Sequence, residues 1–393
     1  MSVISKLTYA PLPRWGSIFK AIFSKHSALT DLANHWSVDK NRSFWFSQSA
    51  WSLYAIVKFK KSISKKTNIT IWLPDYFCNA SIVPLRTLGV EIFFYPILGD
   101  RRPDLVKCNN AIVDSPPDII VFVHYFGASS YPDKLCELAI AKGINTWLVE
   151  DAAHCVAPNK NIGKYGDFVI YSPHKILPVP DGGLLLVREN GPNKISNNFL
   201  IRHSFYKLYS SMIDNHPVID AKPYKWLLKR ILQKLGVRYS RNLTVFNDDI
   251  SAIDLKNFHH PKISKLALKM LSIVVLELDK ESDRRKDNQY NWYLELQSSN
   301  SISVLYHEET CTPYLADCIV KDSICIEDEF NRLQYLGLPV TTWPDLPPEV
   351  LKNSVNHKWA IQMRNAHFYL PVHGSISLNK IKLDIIYTIK FIC

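Results

Sequence analysis

Between residues 43 and 190 the chain alternates short, almost wholly apolar runs with helix-like stretches, and few folds satisfy that pattern. A strand made only of apolar residues must be covered on both faces. That argues for a mostly parallel sheet with helices packed above and below it. "SAWSLYAIVKFKK" reads as a helix beginning near Ser49, "NITIWLP" as a strand, "NASIVPLRTLG" as a helix that tolerates Pro84, and "VEIFFYP" as the next strand. Residues 118–127, "DIIVFVHYFG", read as one apolar strand. "YPDKLCELAIAKG" is a helix with Pro132 in its first turn and Gly143 at its end. "NTWLVEDAAH" is a strand that runs into acid, and "DFVIYS" and "GLLLVRE" follow. Ligands of such sheets bind beyond the carboxyl ends of the strands. The polar residues at those ends are His124, Asp151, His154, Ser172, His174 and Lys175.

With 393 residues the chain exceeds one small core. We expect an N-terminal arm over 1–40, a large domain over 41–280 and a smaller α+β domain over 281–393. In the last, "DRRKDNQYNWYLELQ" starts a long helix, and "DCIVKDS", "EDEFNRLQYLGLPV" and "HFYLPVHGSIS" alternate strand and helix. The eight cysteines include no Cys-x-x-Cys pair, and no histidines cluster at zinc spacing, so no metal site is expected. Scattered thiols, no signal-peptide core and no apolar run near the roughly 20 residues of a membrane span suggest a reduced, cytoplasmic protein.

A net charge of +11 bears on partners rather than on fold. Within the atypical segment 200–265, residues 222–241 hold seven Lys or Arg and no acid. Trp226, Leu227, Ile231 and Leu235 fall near one face of a helix there. A covering helix with a solvated basic face, a peripheral contact with anionic lipid, and a site for an anionic substrate all fit. No nucleic-acid module is present.

Four features of the first half belong together chemically. Lys175 stands in a proline-flanked loop between two apolar strands. A desolvated amine there is nucleophilic, although a lysine bonded to loop carbonyls would look the same. Asp151 ends the strand before the intervening one, which puts it at the same edge of a parallel sheet. Alone it could be a helix cap, but beside a Schiff-base lysine it can keep a pyridine nitrogen protonated. "FSQSAWSL" leaves the N–H groups of Ser49 and Ala50 free for an anion, or is an ordinary N-cap. Phe77 follows the next strand and could stack on a planar ring or simply fill the core. Phosphate cup, stacking ring, aspartate and lysine, in that order, are what a fold-type I pyridoxal phosphate enzyme needs.

The stretch "VEDAAHCVAPNKNIGKYGDFVIYSPHKILPVPDGGLLLV" resembles the central signature of the DegT/DnrJ/StrS sugar aminotransferases. "FSQSAWSL" resembles their phosphate turn, "HYFG" their His-x-x-Gly strand end, and "FYLPVHGSIS" their Leu-Pro-x-His segment. The resemblance covers residues 40–190 well and 283–385 loosely. It implies a fold-type I large domain with a mostly parallel sheet of the seven-stranded type. It further implies pyridoxal 5'-phosphate bound covalently by Lys175, with Asp151 on its ring nitrogen and Phe77 against its ring. Ser49, Ala50 and Ser172 would hold the phosphate, His154 the ring hydroxyl, and His124 and His174 would lie near substrate. The implied reaction moves an amino group, commonly from glutamate, to a nucleotide-linked keto sugar for surface polysaccharide or lipopolysaccharide precursors, in a homodimer. Three departures stand out: His154 replaces the usual Gln, Gln48 replaces a Gly, and the family's Gly-x-Asn-x-Arg segment is missing after the Gly-Gly strand. A sugar dehydratase on the same cofactor, and a catalytically degenerate scaffold at a membrane surface, are the alternatives.

Overall fold

The computed structural model describes residues 8–376, apart from 24–28, 39–40, 65, 142–144, 196–197, 215–219, 238–259, 307–310, 322–324 and 336–337. A seven-stranded sheet has the order β1-β7-β6-β5-β4-β2-β3. Its strands are β1 Asn41–Phe46, β2 Thr70–Pro74, β3 Glu91–Tyr95, β4 Ile119–Val123, β5 Trp147–Ala152, β6 Phe168–Tyr171 and β7 Gly183–Arg188. β7 runs antiparallel to both its neighbours, and β3, β2, β4, β5 and β6 are parallel.

Side-chain alternation divides the sheet into two buried faces. Phe168, Ile170, Leu185 and Val187 join the core that includes Ile56, Phe59 and Phe205. Val169, Tyr171, Leu184 and Leu186 join the opposite core with Trp36, Trp45 and Leu271. The covering helices are α1 Trp15–Phe23, α2 Leu29–Ala33, α3 Ser49–Ile63, α4 Asn79–Arg86, α5 Leu105–Asp114, α6 Asp133–Ala141, α7 Pro173–Ile176, α8 Phe199–Asp214, α9 Lys222–Lys234 and α10 Lys265–Val274. A second, antiparallel sheet has the order β10-β9-β8, from β8 Ile302–Leu305, β9 Leu315–Val320 and β10 His367–Pro371. Around it lie α11 Leu278–Leu296, α12 Ile326–Tyr335, α13 Pro348–Lys352 and α14 Lys358–Ala366.

The structure departs from the sequence reading in several places. The strand expected over 118–127 stops at Val123, and Tyr125–Gly127 turns back as a 3-10 helix with Phe126 at φ 54° and Gly127 at φ 91°. The bend lets the chain before β9 pack close: a Cβ on Gly127 would sit 2.0 Å from the Thr312 carbonyl oxygen. The loop expected around Lys175 is the single helical turn α7, started by Pro173, whose fixed φ suits a first helical position. α9 ends at Lys234, and Leu235 is exposed rather than part of the packed stripe; Trp226 and Leu227 do pack inward. Gly143 and residues 238–241 lie outside the described residues. Among the described residues no helix is long and apolar enough to cross a membrane, no group of three or more His, Cys, Asp or Glu could hold a metal, and the cysteines are free.

Buried polar contacts join the two sheets. Arg101, after β3, pairs with Asp317 of β9, which also bonds His367 Nδ1 of β10 at 2.7 Å. Tyr76 and Tyr369 share a 2.8 Å hydroxyl contact, and His357 Nδ1 lies 3.0 Å from Asp75. Burial alone would raise the Asp317 carboxyl, but Arg101 and His367 outweigh it and hold it at about 2. Its stabilising contribution is therefore complete above the ordinary carboxylate range and is lost as the pH falls through about 2. Asp317→Asn leaves Arg101 buried and unpaired, and should cost about 3–5 kcal/mol. Urea unfolding at neutral pH measures that loss, and the difference between mutant and wild type should shrink in acid.

Candidate active site

Strand register brings the acid and the amine together. Asp151 is paired with Val123 of β4 and Ile170 of β6, so it lies at the carboxyl edge of the central strands. One turn past the end of β6, α7 places Lys175 at the same edge. Lys175 Nζ lies 3.4 Å from His154 Nε2. The Asp151 carboxyl is raised by burial, while the nearby Lys175 charge and the Ala153 N–H, 2.9 Å from Oδ1, favour its ionised form. Among the described residues nothing hydrogen-bonds its second oxygen.

The α7 turn is braced from below. Arg285 of α11 is buried and donates to the carbonyls of Ile176 at 2.8 Å and Tyr314 at 2.9 Å. His174 Nδ1 lies 2.8 Å from the Gly182 carbonyl and 3.2 Å from Ser172 Oγ. Ser172 Oγ in turn lies 3.5 Å from Ser49 Oγ. The imidazole of His174 therefore positions the Ser172 hydroxyl.

Ser49 and Ala50 open α3 with their N–H groups unpaired among the described residues, and Gln48 makes no side-chain cap. Gln48 itself is extended, at φ −145° and ψ 151°, so the departure from Gly needs no glycine freedom. The close approach is supplied by Gly183, where a Cβ would lie 2.4 Å from the Gln48 carbonyl carbon and 2.5 Å from Ser49 N. Two serine hydroxyls and a helix start thus form an anion cup.

His154 is buried, and burial first, then the charges of Lys175 and Arg101, push its pKa well below the usual histidine value. It is neutral at physiological pH. A histidine in place of the usual Gln would make the site pH-sensitive only if it titrated near neutral pH, and this one does not. Its ring stacks on Tyr314 at 4.7 Å and on Phe126 at 5.4 Å between centroids.

One further expectation is corrected. His124 is fully buried and faces protein on both sides: Nδ1 accepts from Ser130 N at 3.2 Å and Nε2 faces Glu150 at 3.1 Å. It braces the strand end and has no surface for substrate. Phe77 packs into the large core, and the neighbouring Cys78 lies within electrostatic reach of Lys175. The residues past β2 fold inward, where Tyr76 meets Trp343 and Tyr369.

Several site residues carried no sequence signal for their place. Trp343, from the chain between α12 and α13, lies 5.9 Å from the His154 ring, and its Nε1 is buried without a partner. Tyr314 and Cys78 are likewise found only from the fold. Glu150 was visible in the motif, but not its task. It accepts from the backbone N–H groups of Gly163, Tyr165 and Gly166 at 2.6–2.8 Å.

The arrangement suits pyridoxal phosphate: an unpaired carboxylate oxygen for a ring nitrogen, an amine for an aldehyde, a neutral imidazole beside the amine, and an anion cup that a Cβ at position 183 would close. Topology and site together define the fold as that of the fold-type I pyridoxal phosphate aminotransferases.

Residues 79–205 match the DegT/DnrJ/EryC1/StrS aminotransferase family. No curated protein sequence matches the chain. Solved structures share the fold at low identity. A Streptococcus pneumoniae protein described as a sugar aminotransferase, in its PLP form, is 16% identical, with 98% of this chain and 97% of that one covered and a TM-score of 0.70. PseC of Helicobacter pylori, an aminotransferase of pseudoaminic acid biosynthesis, is 14% identical over 98% of each chain, with a TM-score of 0.69. The Escherichia coli GDP-4-keto-6-deoxy-D-mannose-3-dehydratase, with bound hydrated PLP, is 14% identical over 98% of each chain, with a TM-score of 0.66.

Gly183→Ala should push the Gln48–Ser49 turn outward. We expect a loss of about 1–3 kcal/mol by thermal melting and weaker binding of added pyridoxal phosphate by absorbance titration.

Proposed function

We propose that the protein is a pyridoxal 5'-phosphate-dependent aminotransferase that converts a nucleotide-linked keto sugar to an amino sugar. The observation that carries this reading is the shared edge of Lys175 and Asp151, with the Ser49–Ser172 cup alongside. Bound there, pyridoxal phosphate supplies an aldehyde that carries the amino group and a protonated ring that withdraws electrons from the carbon being changed.

The chain's own residues do the rest. The second oxygen of Asp151 would face the ring nitrogen and favour its protonated form. Lys175 Nζ would hold the cofactor at its aldehyde and would serve as the base and acid for the proton at the carbon alpha to nitrogen. His154 donates or accepts at the ring hydroxyl without changing charge. Ser49, Ala50 and Ser172 hold the phosphate. The amino donor is an amino acid, with glutamate the first to test, and the product serves surface polysaccharide or lipopolysaccharide precursors. The working unit is a homodimer in the cytoplasm, with the chain divided into the arm 1–40, the large domain 41–280 and the small domain 281–393.

A dehydratase on the same cofactor is the second reading, since one neighbour in fold is such an enzyme. The resemblance implies a histidine in place of the Schiff-base lysine in such dehydratases, whereas here Lys175 reaches His154 and the adjacent His174 turns to Gly182 and Ser172. A scaffold without catalysis would not need the unpaired Asp151 oxygen or the open α3 start.

Purified protein should show a visible absorption band with pyridoxal phosphate, and borohydride should fix the cofactor mass to the peptide carrying Lys175. Lys175→Ala should lose the band and the fixation. Conversion of glutamate to 2-oxoglutarate supports the aminotransferase; release of water from the sugar without use of glutamate supports the dehydratase. Colourless protein that ignores the cofactor supports the scaffold.

Peripheral membrane contact through residues 222–241 also belongs to this reading. α9 exposes Tyr224 and Leu228 beside its lysines, and Lys234 lies over the exposed Trp15 of α1 at 5.4 Å. Co-sedimentation with anionic vesicles should be salt-sensitive and weaker in Lys225→Glu/Leu228→Ser; equal sedimentation of mutant and wild type would refute the contact.

A further inference from the structure

At the amino edge of the large sheet, the opposite edge from Lys175, is a cavity of about 690 Å³. Its walls are Asp118, just before β4, Trp147, the first residue of β5, the last turn of α3, the chain just after β7, and Ile201 of α8. The volume falls within the range of about 300–1,000 Å³ typical of small-molecule sites. None of these residues takes part in the chemistry at Lys175.

A buried amine faces this space. Lys60, in the last turn of α3, is 8% exposed and lines the cavity. Its Nζ donates to the Asn145 carbonyl at 3.3 Å and lies 4.4 Å from the centre of the Trp147 ring. An ammonium carries three donors, and lysine is rarely buried to this degree without an acid beside it. Among the described residues no carboxylate pairs with Lys60. The acid of the wall, Asp118, is already engaged: one oxygen receives Lys66 Nζ at 2.6 Å and the other the Thr70 N–H at 3.0 Å. Burial lowers the pKa of the Lys60 amine, and Asp118 offsets this in part. An anion set against Nζ would favour the charged form.

Beside the amine the wall is hydrocarbon. Ile195 is buried, Ile201 is partly buried and Ile63 is exposed, so apolar surface leads from Lys60 out to the rim. We propose that this cavity binds an amphiphilic carboxylate, with the carboxylate against Lys60 Nζ and the hydrocarbon along Ile63, Ile195 and Ile201. A neutral ligand would leave the amine's donors unmet, and a bare anion would leave the isoleucines uncovered. One buried cation matches a single negative charge. A divalent phosphate would need a second, whereas Lys66 is held by Asp118 and Lys194 is exposed. The inference does not depend on the aminotransferase reading, because the cavity shares no residue with that site.

The test is calorimetric titration of the full-length protein with octanoate as the probe, and with acetate, inorganic phosphate and 1-octanol as comparisons. Octanoate should bind at least about tenfold more tightly than any of the three. Lys60→Met removes the charge and keeps the hydrocarbon stem, an exchange that buried sites usually tolerate. It should weaken octanoate binding by about tenfold or more, with the circular dichroism spectrum unchanged. Ile63→Ser, at the exposed rim, should weaken it by about threefold or more. Lys175→Ala should bind octanoate as the wild type does. Absence of octanoate binding, equal or tighter binding of any comparison compound, unchanged affinity in Lys60→Met or in Ile63→Ser, or loss of binding in Lys175→Ala would each overturn the proposal.

Discussion

The site depends on a carboxylate that performs no chemistry. Glu150 is fully buried next to Asp151 on β5. Burial works against its charge, but His124 and the backbone N–H groups of Gly163 and Gly166 outweigh this and hold it below the usual carboxylate range. A charge buried without such partners would be very costly, so the loop that supplies them is fixed in place. That loop runs between β5 and β6. It sets the register in which Asp151 meets Ile170, and so the position at which α7 leaves the sheet with Lys175. Strand alternation then turns Glu150 and Asp151 to opposite sides of the sheet, one to organise the loop and one toward the amine.

The same economy explains why the sheet was legible from sequence. Strands buried on both faces have to be apolar throughout, and the helices between them carry capping and proline signals that act locally. Lys175, Asp151, Ser49 and Ser172 were visible because each interrupts an apolar run at a strand or helix end. What stayed hidden was settled by packing between distant segments. The inward turn of Tyr76 and Phe77 answers to Trp343 and Tyr369 from the second sheet. The early end of β4 answers to the close pass of Thr312 against Gly127. β1, whose six residues run "NRSFWF", has a polar start that hid a strand completed only by pairing with β7. No local rule in the sequence anticipates these contacts.

His154 shows how far a substitution can be judged from residue type alone. In isolation an imidazole suggests titration near neutral pH. Here it is enclosed by Tyr314 and Phe126 and faces two cations, Lys175 and Arg101, so its charged form is disfavoured from every side. It therefore behaves as a neutral hydrogen-bonding group, the property that a glutamine would also offer. The departure from the family's pattern is chemical in name but electrostatically conservative.

The lid over this chemistry is built by the second sheet and the chain leading into it. Tyr314 stacks on His154, Arg285 ties Tyr314 to α7, and Trp343 brings an unpartnered buried N–H to the same locus. These groups are held against the large sheet by the Arg101–Asp317–His367 cluster and the Tyr76–Tyr369 contact. Arg101 thus takes part in both structures. Through Asp317 it fastens the second sheet, and through Phe126 it backs His154.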